Sequence, residues 1–303
     1  MTTVSVFAPA KINLTLHVTG QAPKGYHLLD SLVAFAGVGD RLTVETRGRG
    51  ELRVTGPEAG GVPTDQTNII FQTAAEFWPP SPVRFELFKQ LPVASGIGGG
   101  SADAAAVFRG IAYLLAEKDT HGDDALLSEK AMRTLFEIGA DVTMCVLSEP
   151  ARVRGMGEQI EPVPDLARLP VVLVNPRVPL STPAVFRALK EKANPPMEAL
   201  PDRPGDPEEL LSWLAGQRND LQCPAIDLAP EIRAVLSSLS SSEGCAVTRM
   251  SGSGATCFGL YRSQPEADAA ATALGAAHPD WWVVSSCLDG QDRVAPQLIR
   301  ATT

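Results

Sequence analysis

The sequence predicts an α+β fold built from two domains. Three observations carry that expectation. Strand-like and helix-like segments alternate along the whole chain without an internal repeat. The chain has 303 residues, enough for two cores of ordinary size. Pro162, Pro164 and Pro170 gather near its middle and divide an N-terminal domain, 1–165, from a C-terminal one, 166–303.

Residues 4–8 and 12–18 read as short strands broken by Pro9. Ile12, Leu14, Leu16 and Val18 alternate with Asn13, Thr15 and His17, the period of a half-buried strand. Gly25-Tyr26-His27 opens a segment rich in Leu and Val. Arg41 to Thr46 and Leu52 to Thr55 read as a strand pair about a turn at Gly48–Gly50. Asn68 to Trp78 has helical spacing through Ile70, Ala74 and Phe77, and Trp78-Pro79-Pro80-Ser81-Pro82 stops it. Val83 to Phe88 alternates as a strand. A helix over about 101–117 carries the stripe Ala104, Val107, Phe108, Ile111 and Leu115, and a second covers about 125–138 and ends at Gly139. Past the proline boundary, Val171 to Val174 reads as a buried strand. A helix starts near Thr182-Pro183, and a proline-crowded loop fills 194–207. A strand pair around 246–261, a helix over 265–276 and a last strand over 281–286 complete the chain.

Bulk composition removes several classes of function. The hydrophobic and charged fractions, 44% and 20%, are those of a globular protein. A formal net charge of −9 suits neither general nucleic-acid binding nor an anionic membrane, because both need a basic surface. A phosphorylated ligand is still possible where backbone amides supply the positive field. The five cysteines are scattered and odd in number, with no metal-ligand spacing, so neither a disulfide framework nor a zinc site is expected. The N-terminus lacks the order of a signal peptide, and no apolar run is long enough to span a bilayer. A reduced cytoplasmic protein is the expectation. His17, His121 and His278 form no cluster with carboxylates and read as structural or surface residues, and Trp281-Trp282 as core.

The most informative segment is Pro92-Val93-Ala94-Ser95-Gly96-Ile97-Gly98-Gly99-Gly100-Ser101-Ala102-Asp103, four glycines in five residues before an amphipathic helix. Glycine permits close backbone approach and positive φ. Exposed N–H groups at a helix start, with the helix dipole, form an anion site. The ordinary alternative is a flexible turn between strand and helix. The loop is neither a Walker A motif, since no lysine follows the glycines, nor a dinucleotide fingerprint, since the spacing G-x-G-x-x-G is absent.

Three segments taken together resemble the three motifs of the GHMP kinases: Ala8-Pro9-Ala10-Lys11-Ile12-Asn13-Leu14, the glycine loop, and Ser251-Gly252-Ser253-Gly254-Ala255-Thr256-Cys257. Within that family, Gly25-Tyr26-His27, Ile138-Gly139-Ala140-Asp141-Val142 and Leu180 to Phe186 resemble the branch whose substrate carries a cytidine diphosphate. The resemblance runs from about residue 7 to about residue 261. Two positions depart from the family's pattern. Thr143 stands where proline is usual, and Gly99 and Gly100 stand where many relatives carry serines, one of which helps to hold magnesium. The metal ligands are therefore left open.

The resemblance implies a fold with a ribosomal-protein-S5-like N-terminal domain and a ferredoxin-like C-terminal domain, and a cleft between them. It implies an ATP-dependent small-molecule kinase that uses Mg²⁺ and phosphorylates an alcohol. Asp141 would be the base and Lys11 its partner, with a solvated aspartate and a strand-edge lysine as the ordinary alternatives. ATP would lie along Pro92 to Ala102, with Asn68 and Lys89 near the adenine. Tyr26 and Phe186 would sandwich a cytosine read by His27, and Asn13 and Thr182 would hold the diphosphate or diol. Core packing is the rival for both aromatics. The rival functions are a mevalonate or homoserine kinase, for which Gly25-Tyr26-His27 has no use, and a non-catalytic nucleotide-binding protein, for which Lys11 and Asp141 have none. Partners beyond the small-molecule substrate are not implied, and oligomeric state is not legible.

Overall fold

The structure, a computed structural model, describes residues 2–23, 25–46, 50–78, 83–116 and 128–299. Parts of the turn at Gly48–Gly50, Pro79 to Pro82, His121 and the expected start of the helix at 125 lie outside the described residues.

The first sheet is organised by one long strand. β1 (Thr3–Asn13), β2 (His17–Gln21) and β3 (His27–Glu45) are followed by β4 (Glu51–Thr55) and β5 (Arg84–Phe88). β1 and then β2 run antiparallel along one edge of the 19-residue β3, while β5 and β6 (Ala151–Gly155) occupy separate stretches of its other edge. β7 (Gln159–Pro162) adds to β6. The expected pairing of 41–46 with 52–55 does not form: β5 lies between them, antiparallel to β3 and parallel to β4. Sequence adjacency suggested a hairpin, but the alternation of Phe85 and Leu87 places β5 as the buried inner strand.

Pro9 does not break the first strand. Its missing N–H falls at a bulge, where the register against β3 shifts between Pro9 and Lys11. The shift has a consequence for the faces. Val4, Val6 and Ala8 pack against the helices of the first domain, whereas Ala10, Ile12 and Leu14 pack against the second domain. The bulge thus reverses the alternation and turns Lys11 and Asn13 toward the helical side.

Among the described residues, four helices lie on that side: α1 (Ile69–Phe77), α2 (Gly99–Ala116), α3 (Glu129–Ile138) and α4 (Val142–Leu147). Asn68 caps α1 by accepting from the Ile70 amide at 2.9 Å. α2 buries Ala104, Val107, Phe108 and Ile111 against β1 and β3. Ser128 caps α3 and Gly139 ends it, as its sequence indicates.

The second sheet has the order β11-β8-β10-β9, from β8 (Pro170–Asn175), β9 (Cys245–Met250), β10 (Cys257–Tyr261) and β11 (Trp282–Cys287). With α5 (Thr182–Ala188), α6 (Pro207–Ala215), α7 (Gln222–Leu228) and α8 (Glu231–Ser240) after β8, and α9 (Gln264–Ala277) after β10, this is a ferredoxin-like split βαβ arrangement with an enlarged first crossover. β11 is not the last strand. β12 (Gln297–Ile299) returns to the first sheet and pairs with Thr3 to Ser5 of β1. The proline-crowded stretch before α6 is held down: the Met197 amide donates to Asp30 at 3.0 Å, its carbonyl accepts from Arg152, and its side chain is buried.

The two domains share a core in which Ile12, Leu14, Leu32 and Ile97 meet Val171, Leu173, Phe258 and Leu260. No helix among the described residues is long and apolar enough to cross a membrane.

Arg249 stitches the same junction without a carboxylate partner among the described residues. It is 5% exposed, and its guanidinium donates to the carbonyls of Leu14, Leu214 and Gln217, each at 2.7 Å. Arg249→Met keeps the volume but strands three buried acceptors, offset in part by removal of a buried charge. A loss of roughly 2–4 kcal/mol is expected, read as a lower urea midpoint with an unchanged m-value.

Candidate functional site

A cleft of about 760 Å³ lies between the domains, and all three glycine- or lysine-bearing motifs open onto it. Its floor is the loop before α2. There, four consecutive carbonyls are taken by donors from the body of the protein. Ser95 O accepts from the Thr256 amide at 3.1 Å, Gly96 O from the Ser251 hydroxyl at 3.1 Å, Ile97 O from the Lys11 amide at 2.9 Å, and Gly98 O from the Ala102 amide at 2.8 Å. With the carbonyls turned inward, the amides of Gly96 through Ser101 find no acceptor among the described residues. They form a nest of donors at the N-terminus of an 18-residue helix.

Glycine is required at two places in this loop. Gly96 has φ +74°, and a Cβ there would stand 2.7 Å from backbone atoms of Gly254 and Ser251. Gly98 has φ +66° and lies against the Lys11 side chain. The third motif closes over the first two. The Ser251 hydroxyl also accepts from the Asn13 amide at 3.0 Å, and the Asn219 carboxamide donates to the carbonyls of Met250 and Gly252.

Lys11 and Asp141 meet in the cleft. The Lys11 ammonium donates to Asp141 Oδ2 at 2.8 Å and to Asn13 Oδ1 at 2.9 Å. The two side chains differ in exposure, 6% for Lys11 and 41% for Asp141. The result is a buried cation fixed in place and a carboxylate with an open face. Asp141 stands at the start of α4, where Ile138-Gly139-Ala140 ends the preceding helix. Cys145, one turn on, is pushed up to about 12 by burial and remains a neutral thiol. The Asn13 carboxamide is used at both ends, since its Nδ2 donates to the Ser31 hydroxyl at 2.9 Å, so it orients Lys11 from below.

The far end of the cleft is aromatic. Tyr26 is 63% exposed on the rim, which rules out core packing for it. Phe186 stacks on His27, with ring centroids 4.8 Å apart and planes 27° apart. Burial, and then the nearby Lys192 charge, hold His27 below its ordinary range, so the ring is neutral at pH 7. Its Nε2 is buried without a hydrogen-bond partner among the described residues. The Thr182 and Ser253 hydroxyls bond each other at 2.7 Å beside this end.

Not every expected residue reaches the cleft. Of the glycine segment, Gly96, Gly98 and Ser101 line it. Pro92, Ser95, Ile97 and Ala102 are buried supports, and Val93 and Ala94 are exposed away from it. Gly99 and Gly100 belong to the first turn of α2. Lys89 and Asn68 do not line it either. Lys89 is 4% exposed with its ammonium between Asp40 and Asp103, and Asn68 spends its carboxamide on the α1 cap and the Pro63 carbonyl. Sequence reading missed Asp40, Asp103, Ser31 and Asn219. Asp103, which closes the glycine segment quoted from the sequence, was the only one with a local signal.

Family profiles match two parts of the chain: one described as "GHMP kinases N terminal domain" over residues 68–149, and one described as "GHMP kinases C terminal" over residues 196–280. A 4-diphosphocytidyl-2-C-methyl-D-erythritol kinase of Roseobacter denitrificans is 48% identical, with 97% of each chain covered. The protein of the same name from Dinoroseobacter shibae is 49% identical over 94% of this chain and 95% of its own. Among solved structures, a 4-(cytidine 5'-diphospho)-2C-methyl-D-erythritol kinase superposes with a TM-score of 0.73 at 31% identity, covering 94% of this chain and all of that one. A homoserine kinase from Cytophaga hutchinsonii shares the fold, with a TM-score of 0.66 at 21% identity, covering 98% of this chain and 97% of its own.

The loop geometry makes a contrast that stability measurements can read. Gly96→Ala forces a side chain against two backbones at positive φ and is expected to cost roughly 1–3 kcal/mol. At Gly100 a Cβ meets nothing within 4 Å. Gly100→Ala in a helix first turn is expected to be neutral or stabilising by up to about 1 kcal/mol. Paired thermal melts of the two variants check this.

Proposed function

The chain belongs to the GHMP kinases, in the branch of the 4-diphosphocytidyl-2-C-methyl-D-erythritol kinases, and from that membership we propose how its cleft transfers the γ-phosphate of ATP to the 2-hydroxyl of that diphosphocytidyl substrate. The reaction is a step of the non-mevalonate isoprenoid route. The observation that carries the mechanism is the Lys11–Asp141 pair, which shares the cleft with the free amides of the glycine loop at one end and with an aromatic rim at the other.

Phosphoryl transfer asks the protein for position and charge compensation more than for covalent chemistry. The amides of Gly96 through Ser101 cradle the triphosphate. Asp141 accepts the proton of the attacking hydroxyl with its open oxygen. Lys11 holds that carboxylate in place and stabilises charge as the phosphoryl group moves. Asn13 holds Lys11 on line, and the Thr182–Ser253 hydroxyl pair faces the acceptor. Magnesium would be held with the nucleotide, because this ion is bound by one or two protein oxygens, phosphates and waters. Ser101 and Asp141 are the oxygen donors the cleft offers beside the phosphate loop. When bound, the ion neutralises charge on the phosphate oxygens.

Tyr26 and Phe186 take the cytosine faces, and His27 reads its edge. The unpartnered Nε2 of a neutral His27 supports this reading, because a buried polar atom without a partner is costly until something fills it. Mevalonate and homoserine have no base to occupy the rim, and kinases of those names among the structural relatives share only the fold. The defining assay is ADP release with three acceptors: the diphosphocytidyl alcohol, mevalonate and homoserine. Turnover of either of the latter two in preference to the first overturns the substrate reading.

Two variants separate the roles. Asp141→Asn keeps shape but not basicity, so kcat is expected to fall ~10²–10⁴-fold while ATP still binds by calorimetry. Near-normal turnover removes Asp141 from the mechanism. Tyr26→Ala is expected to lose ~1–3 kcal/mol of stacking, seen as a matching drop in kcat/KM for the acceptor with the KM for ATP unmoved. An equal loss for both substrates returns Tyr26 to a structural role.

A further inference from the structure

One side chain of the cleft has no part in the reaction as described. The turn between β6 and β7, Gly155-Met156-Gly157-Glu158, presents Met156 to the cleft. Met156 is 37% exposed, and of the exposed large apolar side chains among the described residues only it and Tyr26 line the cleft. A large apolar side chain left in water at a turn forgoes its burial energy. This one is also held in place. Gly155 has φ +72° and Gly157 φ +115°, a left-handed backbone on both sides of it. Glu158 folds back over Gly155, and its Oε2 accepts from the Met156 amide at 2.6 Å. The Gly157 amide donates to the Arg154 carbonyl at 3.3 Å. On one side the turn is tied to the first sheet, where Gly155 pairs with Leu29 of β3. On the other it lies against Ala140, since a Cβ on Gly157 would stand 3.6 Å from the Ala140 Cβ. Ala140 directly precedes Asp141 and lines the cleft with it.

We propose that Met156 seats the methyl group on carbon 2 of the acceptor, and so selects a branched, tertiary alcohol over the unbranched one. The proposal rests on the reading of the acceptor as a diphosphocytidyl methylerythritol. In that molecule the hydroxyl to be phosphorylated and the methyl group share carbon 2. Wherever Asp141 receives the hydroxyl, the methyl comes to rest beside it. Neither water nor the charged Lys11–Asp141 pair is a favourable neighbour for a methyl group, so it needs an apolar wall next to the base. The two cytosine faces already occupy Tyr26 and Phe186. The apolar surface that adjoins Asp141 in the cleft is Ala140 with the turn packed on it. Methionine is unbranched and polarizable, and its thioether adapts to an irregular gap. The seat also bears on rate. Rotation about the bond to the rest of the chain can bring the hydroxyl, the methyl or the hydroxymethyl group of carbon 2 to the base. A fixed place for the methyl leaves the hydroxyl facing Asp141. Met156 is thus a specificity-determining residue, and binding energy from a group that does not react positions the one that does.

The test is kcat/KM for two acceptors, the diphosphocytidyl methylerythritol and the same compound without its methyl group, on the wild-type protein, Met156→Gln and Met156→Leu. Glutamine keeps the length of the side chain but is polar. Leucine keeps the apolar character and nearly the volume. Any intrinsic difference in reactivity between the two alcohols is common to all three proteins and cancels when their preference ratios are compared. The preference for the methylated acceptor is expected to fall roughly tenfold from the wild-type protein to Met156→Gln, within the roughly 10–200-fold that one such group is worth in an apolar pocket. Met156→Leu is expected to keep most of it. A ratio in Met156→Gln equal to that of the wild-type protein overturns the proposal, whether both acceptors lose together or neither loses. A Met156→Leu ratio as low as that of Met156→Gln overturns it equally. The premise is read on the wild-type protein alone. If that protein phosphorylates mevalonate or homoserine in preference to the diphosphocytidyl methylerythritol, the substrate reading fails and this proposal with it. If it prefers the diphosphocytidyl methylerythritol but Met156→Gln leaves the ratio unmoved, only the role of Met156 fails.

Discussion

The four inward carbonyls from Ser95 to Gly98 are the constraint on which the rest of the cleft depends. A backbone segment has only two sides to offer. Once its acceptors are held by the protein, its donors must face the other way, and a short run of peptide becomes a patch of positive field without a single basic side chain on it. This is how a chain of net charge −9 can present a site for a highly charged anion. Three of the four donors that hold the carbonyls come from Lys11 and from the segment 251–256, and the fourth from Ala102 in the helix itself, so the three motifs form one hydrogen-bonded body. The same strand that gives the Lys11 amide to the loop gives the Lys11 ammonium to Asp141. The nest of amides and the Asp141 carboxylate are therefore set against each other by a single residue's backbone and side chain.

That placement depends in turn on a proline. An unbroken β1 would keep one parity from Thr3 to Asn13, so that Lys11 and Asn13 would face the second sheet while Ala10, Ile12 and Leu14 faced the helices. The bulge after Pro9 inserts half a period, so a strand that begins as core for one domain ends as core for the other and hands its two polar residues to the cleft. The second domain contributes through this shared strand, through Arg249 and through the loop over Gly96.

Much of the fold was legible because its signals are local. The helix over 69–77 announces itself through Asn68 and its apolar spacing, and the glycine run before α2 is visible at a glance. The charged partners Lys11 and Asp141 were legible only through family likeness, since nothing in the composition around either marks it out. What the residues could not disclose is pairing at long range. β5 slips between two strands that look like a hairpin, and β12 crosses back to β1 over nearly the full length of the chain. Pro9 was misjudged because the rule against proline in strands carries an exception at bulges, and a bulge is a property of two strands together. Lys89 was expected near the adenine on the resemblance alone, but its burial between two carboxylates is decided in part by Asp40, some fifty residues away.

The clasp on Gly96 has a bearing on the order in which this protein comes into being. The Ser251 hydroxyl that fixes the Gly96 carbonyl lies 155 positions downstream. Domains fold as units during synthesis, the N-terminal one first. A nascent chain that has completed its first domain owns the glycine run, Lys11 and Asp141, yet two of the four carbonyls, those of Ser95 and Gly96, still lack their donors. The loop thus takes the shape proposed to grip a nucleotide only once residues 251–256 have left the ribosome.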